Sequence, residues 1–109
     1  MAFLIHHFMH FVYIIFSEKI DRFYIGETHD INLRLVYHNS AILNTNSTKV
    51  GIPWELVLSI TCQDRVHARK IEQHIKRMKS KKIILDLIKY PELIENLTFR
   101  YLISNGSPR

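Results

Sequence analysis

Residues 11–26 read Phe11-Val12-Tyr13-Ile14-Ile15-Phe16-Ser17-Glu18-Lys19-Ile20-Asp21-Arg22-Phe23-Tyr24-Ile25-Gly26. A continuous β-branched and aromatic run is followed by a polar interval and a second short apolar run, which is the signature of a β-hairpin. Strand side chains alternate with period two, so the turn length decides where the two tyrosines go. A four-residue turn at 17–20 sets Tyr13 opposite Tyr24, with both side chains on one face of the sheet. A five-residue turn pairs Tyr13 with Ile25 and sends the tyrosines to opposite faces. The expected arrangement is the first, by direct pairing or through a bulge, with Gly26 breaking the second strand.

Working outward, Asp30 stands before Ile31 to His38 as an N-cap does, its carboxylate accepting from free amides of the first turn, and Asn39-Ser40 closes this short helix. Residues 41–53 carry Asn44, Asn46, Ser47, Thr48, Gly51 and Pro53 and read as a polar loop. Trp54 to Ile60 reads as a third strand. Asp64 caps a long helix in which Ile71, Ile75 and Met78 supply the buried stripe. A further helix over Ile83 to Ile88 stops at Tyr90-Pro91, a last short one covers Glu92 to Leu97, and Ser104 to Arg109 reads as a disordered tail. The order β, β, α, β, α, α predicts an α+β domain with a small, mainly antiparallel three-stranded sheet flanked by helices. The expected organisation is an apolar, histidine-containing N-terminal arm at 1–10, one domain at 11–97 and a C-terminal tail at 98–109.

The 109 residues suit a single domain and are enough to bury a core without a metal or disulfide staple. One cysteine, Cys62, makes neither an intrachain disulfide nor a cysteine zinc site, which sets a reduced, cytoplasmic location as the expectation. The opening MAFLIHHFMHFVYIIF has no Lys or Arg before its apolar stretch and no small-residue cleavage site after it, unlike a signal peptide. His6, His7 and His10 interrupt it, so it does not read as a membrane span, and no membrane association is expected.

The net charge of +5 is unevenly placed. Residues 65–82 hold eight basic side chains (Arg65, Arg69, Lys70, Lys76, Arg77, Lys79, Lys81 and Lys82) against one acidic one, Glu72, a balance of +7. The remainder, with seven basic and nine acidic residues, is slightly negative. A positive field confined to one helix and its exit is the footprint of phosphate-backbone contact, and equally that of a solvated helix face. Glu72 is the odd residue in it. Its ordinary role is an i, i+4 ion pair with Lys76, worth only ~0.3 to 0.5 kcal/mol. The functional alternative is a lone carboxylate that holds a divalent cation near a bound phosphate, since Mg²⁺ commonly needs one or two protein carboxylates.

In this arrangement the sequence resembles the GIY-YIG nuclease family, in particular its small stand-alone bacterial members related to the UvrC N-terminal catalytic domain. Tyr24-Ile25-Gly26 is the second half of the name-giving motif, and Phe11-Val12-Tyr13 stands for the first, with Phe11 in place of its glycine. Thr28 and Asp30 lead to Arg34 and His38, which match the family's helix with its arginine and following histidine. Ala68 and Glu72 match the small residue and metal-binding glutamate of the next helix. The asparagine found late in some members has no counterpart here. The resemblance implies a metal-dependent endonuclease acting on DNA phosphodiester bonds. It implies that Glu72 binds one Mg²⁺ or Mn²⁺ ion, Tyr13 acts as general base, Tyr24 assists by hydrogen bonding, and Arg34 stabilises the phosphate. His38, one turn from Arg34, then orients water or relays a proton. Arg69, Lys70, Lys76, Arg77, Lys79, Lys81 and Lys82 are the expected DNA contacts.

Outside that pattern each residue has an ordinary role: the tyrosines as half-buried strand aromatics, Arg34 as a surface residue, His38 as a residue favoured by a helix C-terminus, Trp54 as a core anchor. A catalytically silent nucleic-acid-binding module of the same fold and a protein-interaction domain remain open readings, as does oligomeric state, monomer or weak homodimer.

Overall fold

The computed structural model describes residues 9–106. Strands β1 (His10–Ser17), β2 (Arg22–Thr28) and β3 (Glu55–Cys62) form one antiparallel sheet in the order β2-β1-β3. The fold is the expected α+β one. The unbroken apolar run becomes β1 because a central strand between helices is buried on both faces: Val12, Tyr13, Ile14 and Ile15 are all buried. The sheet therefore separates two apolar clusters. On one side Val12, Ile14, Ile60 and Cys62 pack with Ala68, Ile71, Ile75, Ile84, Leu87 and Leu97. On the other, Tyr13 and Ile15 pack with Trp54, Tyr24, Ile31 and Leu35. Burial pushes the Cys62 thiol up to about 11, which leaves it a core residue and not a nucleophile.

Four α-helices accompany the sheet among the described residues: α1 (Ile31–His38), α2 (Arg65–Met78), α3 (Lys81–Lys89) and α4 (Pro91–Gly106). Asp30 caps α1 by accepting from Leu33 N, and Asp64 caps α2 by accepting from His67 N, as their positions predict. The buried stripe of α2 consists of His67, Ala68, Ile71 and Ile75. Met78 departs from expectation and is 46% exposed. It is the last residue of α2, where Lys79 turns into the left-handed region at φ 47° and carries the chain away from the sheet.

Three further expectations are corrected. The hairpin loop is residues 18–21, closed by the pair Ser17 and Arg22, because Ser17 is buried and donates to Gly51 O at 2.6 Å instead of turning. Tyr13 thus faces Gly26, and Ile15 faces Tyr24. The slip is two residues, an even number, so both tyrosines still leave the same face. Gly26 does not break its strand; it pairs in the middle of it. Finally, α4 continues through residue 106, well past the expected end at Leu97. Its second half is tied to α2: buried His67 accepts from Gln63 N at Nδ1 and hydrogen-bonds Thr98 O from Nε2, and His74 Nδ1 bonds the Tyr101 hydroxyl.

The polar loop is also more ordered than its composition suggests. It contains a 3₁₀ turn, Ser47–Gly51, and Asn39 clamps its base, donating to Trp54 O at 2.9 Å and accepting from Trp54 N at 2.6 Å. The Trp54 indole donates to Thr48 O, so Trp54 is the expected core anchor, immediately ahead of β3 and not within it. In β3, Val57 has no partner on β1, a bulge that shifts the register of the two strands by one residue between Ile14 and Ile15. His10 is engaged by Glu27, which Arg65 Nε also approaches at 3.5 Å; His6 and the rest of the N-terminal arm through residue 8 lie outside the described residues.

If residues beyond 97 belong to the fold, removing 98–109 leaves the buried His67 Nε2 without its acceptor. The expected cost is at least about 1 to 3 kcal/mol, measured as a drop in the urea midpoint. An unchanged midpoint would contradict the role given to the second half of α4.

Candidate active site around Tyr13

The tyrosine face of the sheet is where the expected site residues gather. Tyr13 is 3% exposed, and its hydroxyl lies 2.8 Å from His38 Nε2 and accepts from Arg34 Nε at 3.4 Å. α1 supplies both partners because residues 34 and 38 are one turn apart on the same face. The Arg34 guanidinium also lies 4.5 Å over the Tyr37 ring, whose hydroxyl accepts from Thr45 N, so a stacked aromatic and the loop orient it. Tyr24 completes an aromatic cluster, with ring centroids 6.4 Å from Tyr13, 5.1 Å from His38 and 6.4 Å from Trp54.

Gly26 explains how the Tyr13 ring fits. A side-chain carbon at position 26 would stand 2.4 Å from the Tyr13 hydroxyl oxygen, so the ring fills the space that only glycine leaves open on the neighbouring strand.

Behind Tyr13 a chain of polar groups runs into the loop. His38 is fully buried, with Nδ1 2.8 Å from Thr48 Oγ1; Asn44 Nδ2 donates to Thr48 Oγ1 at 2.9 Å and to His38 O at 2.8 Å. Both His38 nitrogens face protein atoms, which leaves neither to orient a water directly. Burial, assisted by the Arg34 charge, lowers the His38 pKa to about 4, so the ring is neutral at pH 7. The Tyr13 phenol is shifted upward. Burial is the main cause; the Arg34 hydrogen bond opposes it, while the Tyr24 and Glu72 charges reinforce it. For Arg34, burial works against the charge, but the bond to Tyr13 and the surrounding phenols outweigh it and raise its pKa.

Glu72 lies on α2, which packs against β1 and β2 from the opposite face of the sheet. Its charge nevertheless reaches Tyr13, as the smallest of the influences on that phenol. The ordinary ion pair is present too: Lys76 Nζ is 3.2 Å from the Glu72 carboxylate. Such a pair is weak enough to yield to a stronger ligand. Among the described residues no three His, Cys, Asp or Glu side chains come together as metal ligands. A lone hard carboxylate, 14% exposed, fits a hydrated Mg²⁺ or Mn²⁺ ion and not a zinc site.

Beside Tyr24, along the outer edge of β2, runs a groove of about 620 Å³ lined by Arg22, Lys76, Lys79 and Lys81 among others. Of the expected DNA contacts, three are thus brought together. Arg69, Arg77 and Lys82 are exposed elsewhere, Lys82 paired with Asp86, and Lys70 is half-buried. Lys81 also pairs with Asp21 across the groove, a solvent-exposed contact worth little.

A model of the GIY-YIG catalytic domain matches residues 9–83, most of the chain. The chain belongs to the GIY-YIG family. It is therefore a member of a nuclease family, whose substrate class is DNA. No curated protein and no solved structure matches it. The match spans the sheet, α1, α2 and the start of α3, whereas α4 lies beyond it. Among the described residues no helix is long and apolar enough to cross a membrane.

Sequence reasoning missed Arg22, Asn44 and Thr48. Arg22 opens β2 beside a turn, where a basic residue is ordinary, and nothing in a run of loop Asn, Ser and Thr distinguishes the two that fold under a histidine.

Two outcomes are expected. Gly26→Ala forces the Tyr13 ring to move and costs about 1 to 3 kcal/mol by overpacking, read from chemical denaturation; a neutral result would place the ring elsewhere. For His38, the unfolded pKa of 6.5 exceeds the folded value of about 4, so the unfolded chain binds the proton more tightly. The neutral ring's contribution is complete above pH 6.5 and is lost as pH falls towards 4, on the order of 3 kcal/mol. His74, whose pKa is also lowered, chiefly by burial, adds with the same sign. A His38→Gln variant should show a flatter stability profile between pH 7 and 4 than the parent; identical slopes would contradict the buried, neutral assignment.

Proposed function

We propose that the protein is a metal-dependent DNA endonuclease whose reacting centre is the Tyr13 hydroxyl. The observation that carries this reading is the convergence on one phenol oxygen of Arg34 and His38, with Glu72 acting on it electrostatically.

In this reading Arg34 anchors the scissile phosphate through its planar fork of donors, already orientated by the Tyr37 ring. Tyr13 takes the proton of the attacking water as that water's oxygen bonds to phosphorus and the leaving oxygen departs. A buried phenol with a raised pKa is mostly protonated at neutral pH, so its phenolate has to be favoured by the donors on its oxygen. Tyr24 borders the same space and supplies a second hydroxyl. Glu72 holds the Mg²⁺ or Mn²⁺ ion, which when bound neutralises charge on the phosphate and the leaving oxygen. Arg22, Lys76, Lys79 and Lys81 bind the DNA backbone as it passes beside Tyr24, with the remaining basic residues of α2 extending the field.

The test is nicking of supercoiled plasmid in the presence of Mg²⁺ or Mn²⁺. The parent should nick, Tyr13→Phe should lose about 10²- to 10⁴-fold in rate, the range for removing a general base, and Glu72→Gln should lose metal-dependent activity. Full activity in the Glu72→Gln protein would remove Glu72 as the metal ligand. A parent that binds DNA in a salt-sensitive manner yet cleaves nothing would instead be the silent module.

A further inference from the structure

We infer that Thr48, fixed by Asn44, is a positioning residue that holds His38 in its Nε2–H tautomer, so that the imidazole donates to Tyr13 and does not accept from it. Neither residue belongs to the motif by which the site was found, and the catalytic consequence rests on the nuclease reading above.

The argument is a count of hydrogens. Asn44 Oδ1 accepts from Asn46 N at 2.7 Å, which fixes the orientation of the amide. Its amino group therefore faces His38 O at 2.8 Å and Thr48 Oγ1 at 2.9 Å and donates to both. Thr48 Oγ1 has thus accepted one hydrogen and still has its own to place. The residue is 4% exposed, and among the described residues the acceptor within its reach is His38 Nδ1 at 2.8 Å. The opposite assignment, with Nδ1–H donating to Thr48, leaves the threonine hydrogen without an acceptor in a buried site, which folded proteins avoid.

With Nδ1 accepting, a neutral imidazole carries its hydrogen on Nε2, and Nε2 faces the Tyr13 oxygen at 2.8 Å. The depressed pKa of His38 agrees with a neutral ring. Tyr13 then receives two hydrogens, from His38 Nε2 and from Arg34 Nε, and its own turns to the half-buried Arg34 side, where water or a phosphate can accept it, whereas both bonds of the Thr48 hydroxyl are buried. Two donors on one phenol oxygen favour its anionic form and aim the remaining lone pair. His38 on this account is a fixed donor to the base, not a second base.

The test uses the full chain, with Thr48→Val removing the hydroxyl at nearly constant shape and Thr48→Ser restoring it. Long-range ¹H–¹⁵N correlation spectra at pH 7 report the His38 tautomer directly. The parent and Thr48→Ser should show Nε2 protonated and Nδ1 bare, whereas Thr48→Val should lose that preference. In plasmid nicking, Thr48→Val should lower kcat about 10- to 100-fold with KM little changed, and Thr48→Ser should recover most of it. A parent ring protonated on Nδ1 overturns the inference, and so does a folded Thr48→Val protein with parental kcat. Should Thr48→Val fail to fold, the parent tautomer and the Thr48→Ser rate still decide. A parent without nuclease activity removes the nuclease reading while leaving the tautomer measurement to stand or fall separately.

Discussion

Tyr13 lies on the central strand directly across from Gly26, and its ring occupies the volume that any side chain at position 26 would need. From that contact the rest of the site follows. The ring lies over its neighbour strand, its hydroxyl meets Arg34 and His38 from α1, and a carboxylate on the far side of the sheet still acts on it. A larger residue on the outer strand would separate these groups. The glycine is thus a packing requirement before it is a feature of a motif.

The sheet divides the labour of the molecule. One face is an apolar core against α2, α3 and α4, and it supplies the stability. The other carries the tyrosines under α1 and a loop, where burial, aromatic contact and a run of polar groups adjust the chemistry of one hydroxyl. The basic groove follows the outer edge of β2, where both faces can be reached. An edge strand with unpaired backbone and several lysines beside it suits a bulky polyanion better than an enclosed small molecule.

Much of this was legible in the residues, for reasons that differ by element. The β1 run, the Asp30 and Asp64 caps and the Ile71 and Ile75 stripe are local signals, and each appears where its pattern places it. The common face of Tyr13 and Tyr24 depends on parity alone, so it survived an error of two in the register. That error arose from Ser17, a polar residue whose long-range bond to Gly51 keeps it in the strand. Met78 followed the helical period but fell at the helix end, where the period no longer points to the core. The second half of α4 is held by His67, His74 and Thr98, contacts between residues about thirty apart that no local pattern reports. The loop around Thr48 is the extreme case. Its order comes from side-chain bonds to Asn39, Trp54 and His38, so composition alone shows only polarity.

The central claim is that phosphate, metal and base meet at Tyr13. The most direct measurement is a structure of the full chain bound to a short DNA duplex with Ca²⁺ replacing the active cation. The account expects a backbone phosphate in hydrogen-bond contact with Arg34, the cation on the Glu72 carboxylate and the Tyr13 hydroxyl facing that phosphate. A backbone that follows the basic face of α2 while leaving Arg34 and Tyr13 untouched, with the cation elsewhere, would contradict it.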